Sequence, residues 1–101
     1  MSSTVNAKAG WTAIRIDPSD NVAVALTDLK NLGEVLDDNQ CFSITLNEPI
    51  AMGHKFSVVD ISKGDPVVKY GEIIGRANKH IAAGSLVHVH NVASRRAAKD
   101  I

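Results

Sequence analysis

Apolar and polar side chains alternate along several short stretches of this chain, and the alternation predicts strands. Residues 11–16 and 41–46 show the two-residue period of a half-buried strand. Residues 21–26 are apolar on both faces and fit either a buried strand or an early helical turn, and Val22 and Val24 favour the strand. Three further β-branched segments lie at residues 56–61, 66–70 and 86–90. Because no long stretch has a helical period, the pattern predicts a mainly β, compact domain of short strands.

Polar stretches between these segments predict turns. Residues 17–21 form one, since Pro18 presets the backbone angle of a turn. Residues 27–31 are predicted to make a short helical or 3₁₀ turn that ends at Gly33, and residues 37–40 a loop. At the ends of the chain, we expect a flexible leader over residues 1–11 and a polar tail, or the start of a linker, over 93–101. The domain itself is then residues 12–92.

An isoleucine followed three positions later by glycine recurs three times, at Ile50–Gly53, Ile61–Gly64 and Ile81–Gly84. The pattern predicts a repeated tight turn in which the glycine takes a positive φ and the isoleucine packs inward. A strand-like segment follows each turn. We therefore expect short strands that fold sharply back on themselves.

Charge and cysteine content limit the classes of partner. Eleven acidic residues balance eleven basic ones, so the sequence of 101 residues predicts binding neither to nucleic acid nor to a membrane surface. No signal peptide and no apolar span of about 18 residues is visible, and a cytoplasmic location is expected. The single cysteine, Cys41, lies in an apolar run and is expected to be a small buried hydrophobic residue.

Several blocks of sequence together resemble a known family. In chain order they are Asp20-Asn-Val-Ala-Val-Ala-Leu26, Gly53-His-Lys55, Gly64-Asp-Pro-Val-Val-Lys-Tyr-Gly71, Ile74-Gly75, Ile81-Ala-Ala-Gly84 and Val87-His-Val-His-Asn91. Over about residues 12–92 the chain resembles the N-terminal SAF domain of the altronate and galactarate dehydratases. The resemblance implies a β-clip fold of the antifreeze-like class, with short strands and short helical turns.

The resemblance also implies a function and partners. Such a domain is the first part of a long dehydratase or a small subunit beside a large catalytic dehydratase component. The family eliminates water from sugar acids to give 2-keto-3-deoxy products, with a divalent metal, iron(II) or manganese(II), as cofactor. The implied partners are that large component and the sugar-acid substrate, and self-association into a homo-oligomer is a further possibility.

A histidine pair near the end of the domain is the first candidate site. If residues 86–90 form a strand, His88 and His90 share one face, and two imidazoles on a face can ligate a divalent metal. Two ligands do not close a metal site, and such a pair is also common on polar surface. Asn91 is a nearby amide that can hydrogen-bond a hydroxyl-rich ligand.

The second group of candidates surrounds the glycine turns. His54 and Lys55 directly follow Gly53, where a cation suits a carboxylate substrate, although a solvated turn is the alternative. With the family resemblance, His54, Lys55 and His88 are predicted to be catalytic, and Lys69, Tyr70 and Asn91 to bind substrate. Because the Gly53 and Gly84 turns are equivalent in the repeat, His54 is expected on the same side of the domain as His88 and His90.

Dehydration beside a carboxylate needs a base for the α-proton, an electrophile for the enolate, and an acid or metal to help hydroxide leave. The chain offers candidates for the last two only. We therefore expect a hydro-lyase domain or subunit that is inactive without the large component. The alternatives are a non-catalytic module for substrate recognition or dimerisation, and the small subunit of a related lyase such as sulfolactate sulfo-lyase.

Overall fold

The fold is built from strands, as the alternation predicts. The computed structural model describes residues 11–38 and 40–94. Within them, the strands in chain order are β1 (Ala13–Arg15), β2 (Val22–Ala25), β3 (Leu32–Asp37), β4 (Gln40–Thr45), β5 (Lys55–Ser57), β6 (Pro66–Lys69), β7 (Glu72–Ala77), β8 (Leu86–Val87) and β9 (Val92–Ser94). This confirms the mainly β class. In this part of the chain no helix is long and apolar enough to cross a membrane.

The strands form two sheets. The six-stranded sheet has the order β4-β3-β1-β2-β5-β8, and the three-stranded sheet has the order β6-β7-β9. Strands β1 and β3 are parallel, and the other pairs are antiparallel. The candidate Lys55 is on β5 in the six-stranded sheet, and the candidate Lys69 is on β6 in the three-stranded sheet.

Two apolar clusters form the core. The first comprises Ala13, Ala23, Ala25, Leu29, Val35, Leu46, Ile50, Phe56 and Val58. The second comprises Val22, Ile61, Val67, Ala77, Ile81 and Val87. Since the second cluster draws Val22 and Val87 from one sheet and Val67 and Ala77 from the other, it is the apolar contact between the sheets.

The predicted Ile–Gly repeat is confirmed in detail. Gly53, Gly64 and Gly84 have φ angles of 86°, 91° and 89°. The three isoleucines that precede them are at most 2% exposed. Ile61 and Ile81 face each other in an isolated bridge, and Ile50 makes the equivalent bridge with Leu29. Each corner thus buries its isoleucine and returns the chain sharply toward a sheet.

Several predictions about the first half of the chain are wrong. Residues 27–31 form bends and the Leu29–Ile50 bridge in place of a helical turn. Gly33 lies inside β3, where a Cβ would meet the Phe56 ring at 3.1 Å, so the glycine makes room for an aromatic side chain. Asp37 and Gln40 pair as the last rung of the β3–β4 hairpin and are not loop residues.

Cys41 and the chain ends also differ from expectation. Cys41 is exposed, because β4 is the edge strand of its sheet and Cys41 points outward there. Ala93 and Ser94, predicted to start the tail, belong to β9. The remaining tail residues, 95–101, and residues 1–10 of the predicted leader lie outside the described residues.

Candidate functional site

Two histidines from distant parts of the chain face each other beside β5 and β8. His54 directly precedes β5 and His88 directly follows β8. These strands are antiparallel with Lys55 opposite Val87, so extending the register by one residue sets His54 opposite His88. Their ring centroids are 5.2 Å apart. The expectation that His54 and His88 lie on one side of the domain is confirmed for this pair.

The segment from His88 to Asn91 is a turn, and the predicted strand over residues 86–90 is wrong beyond Val87. The backbone N–H groups of Asn91 and Val92 both donate to the His88 carbonyl, at 3.1 Å each. The Asn91 side chain closes the turn, because its Oδ1 accepts from the His88 N–H at 3.0 Å. His88 and His90 therefore do not share a strand face. The predicted shared face, from which the two imidazoles were expected to ligate one metal, is wrong.

Asn91 holds this turn and is not positioned to bind a ligand. Its Nδ2 donates to the Leu86 carbonyl at 2.8 Å, and the residue is 4% exposed. An amide that is buried and bonded to backbone on both sides stabilises the loop that presents His88. The structure therefore assigns Asn91 a local structural role in place of the predicted substrate contact.

A shallow open depression lies next to the histidine pair. It measures about 170 Å³ and is lined by Lys55, Ile74, Val87, His88, Val89 and Val92. Lys55 enters from β5 and is half-buried, and burial lowers the pKa of its ammonium, with the charge of Lys69 lowering it further. The depression thus combines apolar walls with a cation whose charged state is disfavoured until an anion arrives.

Lys69 and Tyr70 lie at the tip of the β6–β7 hairpin, and neither lines the depression. The Lys69 Nζ lies 4.6 Å from the centroid of the Tyr70 ring, which is a cation–π contact. Tyr70 has a φ of 57° and is 55% exposed. In the described part of the chain the one ion pair joins Arg15 to Asp37. Neither Lys55 nor Lys69 has a carboxylate partner there.

The described residues fit a metal only in part. Two imidazoles 5.2 Å apart between ring centroids can reach a common ion, and the Nδ1 of His54 is buried without a hydrogen-bond partner. Residues 11–38 and 40–94 contain no group of three or more histidine, cysteine or acidic side chains able to hold a metal ion. A metal at this pair needs ligands from elsewhere.

The apolar walls of the depression were missed from the sequence. Ile74 comes from β7 and Val92 from β9, and neither strand was predicted. A signal was present in the adjacent Ile73 and Ile74, which are β-branched and follow a glycine turn. Their approach to Lys55 depends on the packing of two sheets, which local patterns do not reveal.

Comparison with known proteins identifies relatives over nearly all of the domain. Residues 11–95 match the family model described as the altronate/galactarate dehydratase SAF domain. The chain is 54% identical over 78 residues to altronate dehydratase from Escherichia coli K12, and 41% identical over 78 residues to altronate dehydratase from Bacillus subtilis 168. In both cases the match covers 77% of this chain and 15% of the relative.

A third relative is a small subunit. The chain is 32% identical over 85 residues to the (2R)-sulfolactate sulfo-lyase subunit alpha of Chromohalobacter salexigens, covering 79% of this chain and 90% of that subunit. The chain therefore spans a small part of the dehydratases and nearly all of this subunit.

Proposed function

Since this chain belongs to the altronate/galactarate dehydratase SAF domain family, we propose that it forms one wall of a sugar-acid dehydratase site that a larger component completes. The reaction is elimination of water from an altronate- or galactarate-type acid, giving a 2-keto-3-deoxy product. The chain alone is inactive in this proposal. The partner is the large dehydratase component, and the assembled enzyme works in the cytoplasm.

The observation that carries the proposal is that Lys55 and Lys69 have no carboxylate partner in the described part of the chain. Lys55 directly follows His54 and lines the depression together with His88. Lys55 loses affinity for its proton through burial and through the charge of Lys69, so both lysines gain from a bound anion. Charge-assisted hydrogen bonds from such ammonium groups to a carboxylate are among the stronger ones in proteins. The arrangement suits the carboxylate end of a sugar acid.

The size of the depression supports the need for a second wall. Small-molecule sites usually enclose about 300–1,000 Å³, and this one measures about 170 Å³ and is open. One of its apolar lining residues, Val89, is 79% exposed. An open half-site with an exposed apolar lining residue fits a cleft formed between this domain and another component.

Within the proposed site the residues have separate roles. Lys55 and Lys69 bind the substrate carboxylate and stabilise the negative charge of the enolate that forms when a base of the large component removes the α-proton, and the Tyr70 ring holds the Lys69 ammonium through their cation–π contact. His54 is the proposed proton donor to the departing hydroxyl. His88 is the residue of this chain that we assign to a divalent metal, iron(II) or manganese(II), with further ligands from the large component. When bound, such an ion would polarise the leaving hydroxyl.

A second candidate function is the small subunit of a lyase acting on another 2-hydroxy acid. The match over 90% of a sulfolactate sulfo-lyase subunit alpha favours it. The two candidates share the carboxylate contact and differ in the leaving group. A substrate panel of altronate, galactarate and sulfolactate distinguishes them.

Histidine variants test whether the domain takes part in the chemistry. In the chain combined with its large component, we expect His54→Ala and His88→Ala each to lower kcat by about 10²-fold or more, through loss of the proton donor at His54 and of the metal ligand at His88. His80→Ala is the matched control, because His80 is exposed and lines no part of the depression. Unchanged kcat in both variants would support a non-catalytic recognition or dimerisation module.

A further inference from the structure

The edges of the two sheets differ in length. An edge strand presents backbone N–H and C=O groups that no neighbouring strand pairs, and proteins commonly protect such groups from other chains. The six-stranded sheet ends at β4 and β8, and the three-stranded sheet ends at β6 and β9. Strand β4 has six residues, whereas β6 has four, β9 three and β8 two. The longest edge strand is therefore β4.

Side chains protect two of the shorter edges. On β8, the Leu86 N–H donates to the Glu48 Oε2 at 3.0 Å, and the Leu86 carbonyl accepts from the Asn91 Nδ2 at 2.8 Å. On β6, both polar atoms of the Asn21 side chain bond to backbone groups of the strand, at 2.9 and 2.8 Å. An added strand would find these groups already bonded.

Strand β4 lacks such protection. Asp37 and Gln40 pair at the turn of the β3–β4 hairpin, and the pair that flanks such a tight turn is hydrogen-bonded. Because hydrogen-bonded and non-hydrogen-bonded pairs alternate, the backbone groups of Cys41 and Ser43 point away from β3. Among the described residues, no hydrogen bond reaches these backbone groups. The strand also contains no proline and no charged side chain.

The far end of this edge is closed by the Gly84 corner. A Cβ on Gly84 would lie 2.2 Å from the Thr45 carbonyl oxygen, so the corner packs directly on that group. Next along the chain, the Asn47 N–H donates to the Gly84 carbonyl at 2.9 Å. The open part of the edge is therefore the backbone of Cys41 and Ser43.

We propose that β4 is a self-association edge, at which β4 of a second copy of this chain pairs antiparallel across a two-fold axis. The open backbone sets the register, in which Cys41 of each copy exchanges hydrogen bonds with Ser43 of the other. Phe42 then lies opposite Phe42 of the second copy in a non-hydrogen-bonded pair, where facing side chains are closest.

The chemistry of β4 fits a copy of itself. A two-fold axis brings equal charges together, and like charges on facing strands are destabilising, but β4 carries none. Each open residue offers one donor and one acceptor, so an antiparallel edge is complementary to itself. Phe42 and Ile44 are only partly buried against the core, and a second strand would cover them. No residue of β4 lines the depression, so this pairing does not depend on the proposed function.

Sedimentation equilibrium and NMR solvent exchange of the full 101-residue chain test the pairing. One short strand buries less than the about 1,200 Å² of a stable interface, so the dimer is weak. We expect monomer at about 10 μM and mainly dimer at about 1 mM. Over this range the amide protons of Cys41 and Ser43 should exchange more slowly by about threefold or more, since exchange then requires the monomer. The amide proton of the exposed Val89, outside β4, should keep its rate.

Ser43→Pro blocks the edge and spares the hairpin. Because the Ser43 N–H points outward, proline removes no hydrogen bond to β3 and places its ring where a second strand would lie. Ser43→Ala is the matched control, since both variants lose the 2.7 Å hydrogen bond from the Ser43 Oγ to Glu34. We expect Ser43→Pro to stay monomeric at about 1 mM, and Ser43→Ala to dimerise with a Kd within about threefold of the wild type.

Ser43→Lys is the second variant, and it serves if the proline variant does not fold. A lysine on an edge strand opposes pairing, and here it brings two ammonium groups together across the axis. A wild-type chain that is monomeric at about 1 mM would overturn the proposal. A folded Ser43→Pro or Ser43→Lys chain that dimerises like Ser43→Ala would also overturn it. If the wild type is monomeric and Ser43→Pro abolishes binding to the large component, the edge receives that component in place of a second copy.

Discussion

Replacing Gly84 by alanine tests the close packing that sets β8, and with it His88, against the rest of the sheet. Gly84 has a φ of 89°, and a Cβ there would lie 2.2 Å from the Thr45 carbonyl oxygen. Gly53, at the equivalent corner, has a φ of 86°, and a Cβ there would meet no heavy atom within 4 Å. The two substitutions therefore share backbone strain and differ in steric clash.

The expected magnitudes follow from these two terms. An L-residue in a left-handed conformation costs roughly 1–2 kcal/mol, which is the whole effect at Gly53. At Gly84 the obstacle is backbone, which cannot swing aside as a side chain can, and forced overpacking adds about 1–3 kcal/mol. Gly84→Ala should therefore lose about 2–5 kcal/mol of unfolding free energy. In a domain of this size the clash, which only Gly84→Ala suffers, lowers its Tm about 4–24 °C below that of Gly53→Ala.

Thermal and urea unfolding followed by circular dichroism measures both variants. Gly64→Ala is a second control, because its φ is 91° and a Cβ there would also meet nothing within 4 Å. Equal Tm values for the Gly84 and Gly53 variants would refute the reasoning, since they would mean that the Gly84 corner does not pack against Thr45.

Two further predictions concern Lys55 and Cys41. Because the pKa of Lys55 is lowered by burial and by Lys69, its charge costs stability below the folded-state pKa, and that cost disappears as pH rises to the usual value of 10.5. Lys55→Met should therefore raise the free energy of unfolding at pH 7, with a gain that shrinks toward pH 10.5 in urea titrations; a gain independent of pH would contradict the assignment. Cys41 is exposed on an edge strand, so the native protein should react with Ellman's reagent as fast as the urea-unfolded chain, within about tenfold. Cys41→Ser is the control, and reaction only at the rate of unfolding would show that the thiol is buried.

Local patterns were enough to predict the parts of the fold that depend on neighbouring residues. The Ile–Gly corners follow from a glycine that needs positive φ and an isoleucine that needs burial, and both are visible in the sequence. The equivalence of the Gly53 and Gly84 corners also predicted that His54 and His88 lie on the same side of the domain. Strand β4 was predicted because its alternation is regular, although its place at the sheet edge, which exposes Cys41, was not.

The missed features depend on contacts between distant residues. Strand β3 mixes Gly33 with acidic residues and becomes a strand only because β1 and β4 flank it. Val87 and Val89 suggested a strand through residue 90, but the Asn91 side chain closes a turn on the His88 N–H. A side chain that hydrogen-bonds to nearby backbone competes with strand pairing. Composition alone does not show which of the two forms. The hydrogen bond from the Val68 N–H to the Asn21 Oδ1 joins residues 47 positions apart, so no local pattern predicts it.

The central claim, that this domain completes a dehydratase site, is tested most directly by exchanging it into a relative. The aligned 78-residue segment of Escherichia coli altronate dehydratase is 54% identical to this chain and can be replaced by it. We expect the chimaera to keep kcat/KM for altronate within about tenfold of the parent, a change of about 1.4 kcal/mol. Removal of the segment should lower it by about 10³-fold or more, and the isolated chain should show no turnover. Parental activity in a folded protein that lacks the segment, or full turnover by this chain alone, would contradict the claim.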